Sequence, residues 1–453
     1  MTTGAIPTSE VVELLQALIR NACVNDGTPD SGHEHRSVAT LQQYLGAEGE
    51  VVEPHPGRQS VVFRVPGSTP GAPTLVLLPH LDVVPVTTSG WSVDPFAAEV
   101  GDGYVWGRGA VDMLNLTAVM AAVFARYRSG ELAPLPGDLV LAAVADEEAG
   151  GVHGAGWIAE HRPDLLPADY VLTEIATPLV TAGGGLPVTV AEKGPSWKLL
   201  RTRGTPGHAS QPYRTDNALV RLANAVDLLD AADEPAAVSA EWAGFAAGAG
   251  LPDGLAERLT DPDRLDEAID ELAQTDEPLA RFAHACTHLT VAPTVLNAGT
   301  KSNVVPDSAE AYLDVRVVPG QDEATVADHL RKVLGPDRLD RIEVIDHISF
   351  PANGSPASGP LWEAIGDAAG SLTGSRALLP MLIPVTTDAR FMRARGAISY
   401  GVGLFDDRMG FGEMLRLFHG HDERISIGSI EATTALLALT VERFGARIAE
   451  ELE

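Results

Sequence analysis

Thr74-Leu75-Val76-Leu77-Leu78 runs directly into Pro79-His80-Leu81-Asp82. The first five residues are nearly all apolar, which is typical of a strand buried in a parallel sheet. Asp138 to Ala145 and Tyr170 to Thr173 show the same pattern, and helical or turn-rich segments separate the three runs. The sequence therefore predicts an α/β fold with a mostly parallel sheet flanked by helices. In such sheets ligands bind where strands end, so the polar residues after each strand are candidate site residues.

A different pattern begins near Gly194. Ala309 to Val317 and Arg341 to Ile348 are typical of strands, and the amphipathic segment Glu323 to Leu334 between them is typical of a helix. Another helix is predicted over Asp216 to Leu229, with four residues facing inward: Leu219, Leu222, Ala223 and Val226. Together these elements predict a small two-layer α+β unit.

The small unit interrupts the large one, because the pattern of the first part returns from about Pro351. We expect a catalytic domain formed by residues 1–193 and 349–453, with a second domain over 194–348. Residues near 231–288 are rich in Ala, Asp and Pro and form an insertion in that domain. Only one helix is credible within it, carrying Leu265, Ala268, Ile269 and Leu272.

Charge and composition exclude several classes of function. The chain of 453 residues has 32 Lys+Arg against 62 Asp+Glu and a net charge of -30, so it repels nucleic acids and anionic lipid surfaces. Its apolar runs are too short to span a membrane, and its start lacks a secretory signal. Cys23 and Cys286 are too few for a disulfide framework. We expect a cytoplasmic protein without nucleic-acid or membrane partners.

Acidic and imidazole side chains follow the predicted strands. His80 and Asp82 follow the first strand, and Asp146-Glu147-Glu148 follow the second. Glu174 follows the third, and Gly107 to Met113 form a turn that carries Asp112. Each signal alone is weak, since Asp112 is also typical of a helix cap and the acidic triplet of a helix start.

Two late histidines, His419 and His421, complete the set, and spacing alone does not choose between them. The candidate ligands are then two imidazoles and three carboxylates: His80, Asp112, Glu148, Glu174 and one of the late histidines. Such a set without a thiolate suits zinc, with manganese or cobalt as alternatives. Five ligands exceed what one tetrahedral ion takes, which predicts two ions sharing Asp112. Of the adjacent pair Glu147 and Glu148, one can bind a cation while the other acts as a general base.

The sequence resembles the co-catalytic zinc amidohydrolases, a family that includes aminoacylase-1, acetylornithine deacetylase, succinyl-diaminopimelate desuccinylase, carboxypeptidase G and cytosolic dipeptidases. The resemblance implies a zinc exopeptidase-like catalytic domain with an inserted lid or dimerisation domain. The matching motifs occur in the family's order and are Pro79 to Asp82, Gly107 to Met113, Asp146 to Glu148, Glu192 to Gly194, Gly204 to Ser210, Asn303 to Pro306, Asp314 to Arg316 and His419 to Glu423.

The resemblance also implies a role for each site residue. His80 and Glu174 would hold one zinc, Glu148 and His419 the other, and Asp112 would bridge them. His419 is chosen over His421 because the family pattern places an Asp three residues later, followed by Glu. Asp82 would orient His80, and Glu147 would take a proton from the bridging water and pass it to the leaving amine.

Further residues, three of them in the small domain, resemble substrate-binding groups of the family. His208 would reach the oxyanion, often in the partner subunit's active site, which implies a possible homodimer. Asn303, Arg316 and Arg390 would hold the substrate's carboxylate, although Arg316 is equally typical of an ordinary salt-bridged strand residue.

These implications predict a dizinc amidohydrolase acting on dipeptides or N-acyl amino acids. The alternatives are a hydrolase of N-carbamoyl amino acids and a non-catalytic protein that binds amino acids or peptides. Two features depart from the family: Leu114-Asn115-Leu116 replaces the usual Lys-Gly, and the insertion resembles that of the carboxypeptidase S type. The insertion leaves open whether His208 acts across subunits.

Overall fold

The computed structural model describes residues 6–181 and 183–453. Its α-helices are, in chain order, α1 (Thr8–Arg20), α2 (His35–Leu45), α3 (Leu114–Arg128), α4 (Ala155–His161), α5 (Ala218–Asp230), α6 (Ala240–Gly248), α7 (Leu255–Arg258), α8 (Leu265–Ala273), α9 (Glu277–Thr287), α10 (Glu323–Leu334), α11 (Pro336–Leu339), α12 (Pro360–Thr373), α13 (Ala389–Arg393), α14 (Phe411–Leu417) and α15 (Ile427–Leu452). One short 3₁₀ turn spans Glu147–Ala149.

The strands are, in chain order, β1 (Glu50–Val52), β2 (Ser60–Val65), β3 (Leu75–Leu77), β4 (Val100–Gly101), β5 (Tyr104–Trp106), β6 (Leu139–Ala143), β7 (Tyr170–Thr173), β8 (Leu186–Glu192), β9 (Gly194–Arg203), β10 (Gly207–His208), β11 (Thr290–Ala298), β12 (Val304–Val305), β13 (Ser308–Val317), β14 (Ile342–Ser349), β15 (Asn353–Gly354), β16 (Leu378–Ile383), β17 (Ile398–Val402) and β18 (Arg424–Ser426).

A nine-stranded sheet forms the centre of the large unit, in the order β1-β2-β6-β3-β7-β17-β8-β15 with β16 paired to β8. The sheet that the sequence predicts as mostly parallel is in fact mixed. Strands β6, β3, β7 and β17 pair in parallel at its centre, whereas β1, β2 and β15 pair antiparallel toward the edges. The central strands β3 and β6 are buried on both faces, as is typical of parallel strands, and so is β8.

Helices cover both faces of this sheet, as expected for the α/β class. Within β3, Leu75 and Leu77 belong to one core cluster together with residues of α1, α3 and α15. Val76 points the other way, into a cluster with Ile158 of α4 and Met392 of α13. The alternation of strand side chains thus serves two cores, which explains why the run from Thr74 is apolar throughout.

The small unit is a four-stranded antiparallel sheet, ordered β11-β13-β9-β14, with α5 and α10 packed against it. Helix α10 has the predicted bounds. On α5 the buried residues are Ala218, Leu222, Ala225 and Leu229, whereas Ala223 is exposed. The inward face predicted for this helix is therefore right at Leu222, partly right at the half-buried Leu219 and Val226, and wrong at Ala223. The domain bounds remain a prediction.

The insertion contains four helices, α6 to α9, where one was predicted. The buried residues of α8 are the four apolar residues expected from the sequence. Trp242, Phe245 and Phe282 join the core cluster of the large unit, and α6 packs against β16. Of the other helices, α7 has only four residues, and the apolar residues of α6 follow no clear helical period. Helix α9, with 11 residues, was also missed.

Among the described helices, none combines the length and hydropathy needed to cross a bilayer. Cys23 and Cys286 are both buried and free.

Candidate dinuclear metal centre

The five predicted ligands lie together beside the ends of three central strands. His80, Glu148 and Glu174 follow β3, β6 and β7 respectively, and Asp112 precedes α3. His419 follows α14, near the other end of the chain. Their ligand atoms form two groups, each within 4.8 Å: His80, Asp112 and Glu174 in one, and Asp112, Glu148 and His419 in the other.

Asp112 belongs to both groups through its two oxygens. Its Oδ1 lies 3.2 Å from Nε2 of His80, and its Oδ2 lies 3.3 Å from Nε2 of His419. Glu174 Oε2 is 3.6 Å from His80 Nε2, and Glu148 Oε2 is 3.3 Å from His419 Nε2. His421, the competing histidine, belongs to neither group among the described residues.

Burial and the neighbouring side chains shift the pKa values of several residues in the two groups. Burial by itself lowers the pKa of His80, but hydrogen bonds to Asp112 and Glu174 outweigh it and raise that pKa well above its ordinary value. Hydrogen bonds to Asp112 and Glu148 raise the pKa of His419 to about 10. Burial raises the pKa of Glu148 to about 7, with a further contribution from the charge of Asp112.

A pair of divalent cations fits this donor set. Oε1 of Glu148 and Oε1 of Glu174 are buried, and neither has a hydrogen-bond partner among the described residues. Buried carboxylate oxygens require compensation, which a cation supplies while displacing the protons held by the two imidazoles. Nitrogen and oxygen donors without a thiolate suit zinc, manganese or cobalt.

Glu147 lies beside both groups without belonging to either. It stands at the start of the 3₁₀ turn, where Asp146 adopts a left-handed conformation with φ of 72° and changes the chain direction after β6. Burial and the negative charge of Glu174 raise the pKa of Glu147 well above its ordinary value. A raised pKa suits a group that accepts and returns a proton near neutral pH.

Asp82 contacts this turn more closely than the ring it was expected to orient. Its carboxylate accepts hydrogen bonds from the backbone N–H groups of Glu147 at 3.2 Å and Glu148 at 3.1 Å, and from Asn25 at 2.8 Å. Nδ1 of His80 lies 3.0 Å from the backbone oxygen of Asp82 but 3.7 Å from its carboxylate. Asp82 therefore fixes the loop that carries Glu147 and Glu148.

Arg108 and Glu423 hold the Asp112 loop and were given no role in the sequence analysis. Both are buried, and the guanidinium of Arg108 donates to Glu423 Oε2 at 2.7 Å. The Glu423 carboxylate also accepts from the backbone N–H groups of Gly109, Val111 and Asp112. The motif matches contained both residues, but their pairing across 315 positions leaves no local signal.

We expect Glu423→Gln to destabilise the fold by about 3–5 kcal/mol, because it leaves the buried charge of Arg108 without its partner. Denaturant unfolding of the metal-free protein measures the loss. Glu413→Gln is the matched control, since its half-exposed pair with Arg424 contributes at most about 1 kcal/mol. Equal stability of the two variants would contradict the role of Glu423.

A cleft of about 790 Å³ opens above the two groups. Residues of both the small unit and the large unit form its walls. Its polar part is lined by Asp112, Glu147, Glu148, Glu174 and His419. Its volume is within the range of small-molecule sites.

Two of the three predicted carboxylate-binding residues lie in this cleft. Arg316 is there, but it already makes a two-pronged ion pair with Asp314, at 2.9 and 3.0 Å. Arg390 is there as well; it donates to the backbone oxygens of Thr387 and Gly150, and its Nε has no partner among the described residues.

His208 and Asn303 lie elsewhere. Neither is among the described residues that line the cleft of their own chain, and both are exposed. They are neighbours, because β10 pairs with β12 and the backbone N–H of Ala209 donates to the backbone oxygen of Asn303. The backbone N–H of Ser210 donates to Nδ1 of His208, which leaves Nε2 as the protonated, donating nitrogen of the neutral ring.

Comparisons with known proteins agree with this arrangement. Residues 76–443 match peptidase family M20/M25/M40. Aminoacylase-1 of Mus musculus is 27% identical over 429 residues, covering 92% of each chain. The M20 metallo-carboxypeptidase Sso-CP2 from Sulfolobus solfataricus has a TM-score of 0.72 at 18% identity, covering 96% of this chain and 99% of its own. Human carnosine dipeptidase 1 has a TM-score of 0.70 at 16% identity, covering 97% of this chain and 96% of its own.

The predicted family resemblance and fold class are thereby confirmed. The family match spans the strands that carry His80, Glu148 and Glu174 as well as the segment that carries His419. The chain belongs to peptidase family M20/M25/M40, whose members are metal-dependent hydrolases of amide bonds.

Proposed function

We propose that the protein is a dizinc amidohydrolase that releases an amino acid with a free carboxylate from an N-acyl amino acid or a dipeptide. The observation that carries the proposal is the pair of imidazole–carboxylate groups that share Asp112 on the floor of the cleft. His80 and Glu174 would hold one ion, and Glu148 and His419 the other. Manganese or cobalt would suit the same donors.

The two ions would supply a water of lowered pKa and polarise the scissile carbonyl. Glu147 is the base for that water, because its side chain lines the cleft and takes part in neither ligand group. The same carboxyl then returns the proton to the nitrogen of the leaving amine. Asp82 fixes the backbone of Glu147 and so holds this base in place.

Arg390 and Arg316 are the proposed partners of the substrate's carboxylate. A guanidinium binds a carboxylate with two parallel hydrogen bonds and gives an acidic protein a local site for an acidic substrate. Arg390 lines the cleft, and its buried Nε has no hydrogen-bond partner among the described residues, whereas Arg316 would have to exchange Asp314 for the substrate.

His208 and Asn303 would act in a neighbouring subunit. Both are exposed and lie outside the cleft-lining residues described for their own chain, so we propose a homodimer in which they reach the partner's cleft. Nε2–H of His208 is a suitable donor for the oxyanion.

The similarity to aminoacylase-1 over most of both chains favours N-acyl amino acids as the first substrates to test. Carnosine dipeptidase 1, similar in fold, makes dipeptides the second class. Hydrolysis of N-carbamoyl amino acids, and binding without catalysis, are the competing functions.

Amine release from a panel of N-acyl amino acids, dipeptides and N-carbamoyl amino acids tests the proposal. We expect turnover of the first or second class, loss of that turnover after chelation, and recovery on adding zinc. Turnover confined to N-carbamoyl amino acids would favour that alternative, and binding without release of amine from any substrate would favour a binding protein.

A further inference from the structure

Helix α9 brings the insertion into the cleft. Phe282, in the middle of this helix, is the cleft-lining residue that the insertion contributes in the described part of the chain. The segment between 231 and 288 thus forms part of the wall around the proposed catalytic centre.

The helix is held in place from two sides. Cys286 Sγ donates to the backbone oxygen of Leu382 in β16 at 3.2 Å. On the other side, the ring of Phe282 meets that of Phe411 in α14 edge to face, with centroids 5.4 Å apart. Since β16 and α14 belong to the large unit, Phe282 has a fixed position relative to the metal-binding residues.

Phe282 belongs to an apolar part of the cleft lining. Leu415 and Phe418, from α14 and the residue after it, also line the cleft, as does Met381 of β16. Phe418 directly precedes His419, so this apolar lining begins beside the second ligand group.

The arginines have different neighbours. The Arg316 guanidinium lies 6.0 Å from the ring centre of Trp197, and that of Arg390 lies 5.1 Å from the ring centre of Phe350. The proposed carboxylate-binding groups are therefore contacted by aromatic residues other than those of the α9 and α14 wall. A substrate with its carboxylate at the arginines and its amide at the ligand groups has the α9 and α14 wall available for its acyl group.

We propose that Phe282 is a specificity-determining residue that sets the size of the apolar acyl group, with a hydrocarbon chain longer than acetyl as the preferred occupant. This inference rests on the proposed amide hydrolysis and deepens it. The insertion, by carrying Phe282, is then part of the substrate pocket.

The test compares kcat/KM for N-acetyl, N-octanoyl and N-dodecanoyl forms of one amino acid. We expect wild type to prefer octanoyl to acetyl. Phe282→Trp narrows the pocket and lowers the octanoyl-to-acetyl ratio about tenfold, and Phe282→Ala raises the dodecanoyl-to-acetyl ratio by a similar factor.

Phe245→Ala is the matched control. Its ring lies 5.4 Å from that of Phe282 in the same aromatic cluster, but it is not among the described residues that line the cleft. Phe282→Leu replaces the alanine variant if the latter fails to fold. The inference is overturned, and the proposed function is not, if the preference for acyl-chain length is unchanged in the Phe282 variants or changes equally in Phe245→Ala. A wild type that hydrolyses dipeptides but no N-acyl amino acid overturns this inference and leaves the proposed function standing, whereas a wild type that hydrolyses neither class overturns both.

Discussion

Glu147→Gln is expected to lower kcat/KM by about 10²–10⁴-fold without changing the metal content of the protein. The amide has the size of the carboxylate but takes no proton from the attacking water. Metal content is unchanged because Glu147 belongs to neither ligand group. Amine release and metal analysis of the same preparations measure the two quantities.

Glu160→Gln serves as the control for this variant. Its side chain is 80% exposed on α4, so its removal leaves both activity and metal content unchanged. Equal turnover by Glu147→Gln and wild type would refute the assigned base. A loss of metal together with activity would instead place Glu147 among the ligands.

Asp112→Ala should remove metal from both positions. Its two oxygens face different imidazoles, and among the described residues it is the one that belongs to both groups. We expect activity to fall ~10³-fold or more, equivalent to about 4 kcal/mol of transition-state stabilisation. Metal analysis should show fewer than one tightly bound ion per chain, because each group retains only two ligands.

Glu174→Ala gives the informative comparison, since Glu174 belongs to one group only. It should lose one ion and keep the other. Asp164→Asn is the control: it changes a half-exposed ion pair with Arg162, and its metal content should equal that of wild type. If Asp112→Ala and Glu174→Ala lose the same single ion, Asp112 does not bridge two ions.

The proposed ligand set could be assembled largely from the sequence because of the positions of its members after strands. His80, Glu148 and Glu174 each come after a buried apolar strand, and neighbouring parallel strands end at the same edge of a sheet. No comparable signal existed for His419, which was chosen over His421 through the family pattern. Without that pattern, both histidines were equally acceptable.

The features that escaped prediction depend on long-range contacts. Antiparallel pairing of β2 with β6 and of β15 with β8 is not visible in either strand alone. A salt-bridged Arg316 was one of the two expectations for this residue, but its partner Asp314 was not identified from the sequence. The exposure of Ala223 likewise depends on which residues of α5 the small sheet covers.

The attachment of the Asp112 loop to Glu423 has a consequence for the order of events during synthesis. A ribosome that has made the first two hundred residues has already produced His80, Asp112, Glu148 and Glu174, yet β17 must still enter the sheet between β7 and β8. Glu423 and His419 emerge later still. The donor set of Asp112, Glu148 and His419 is therefore complete only after the final segment of the chain has been made and has docked.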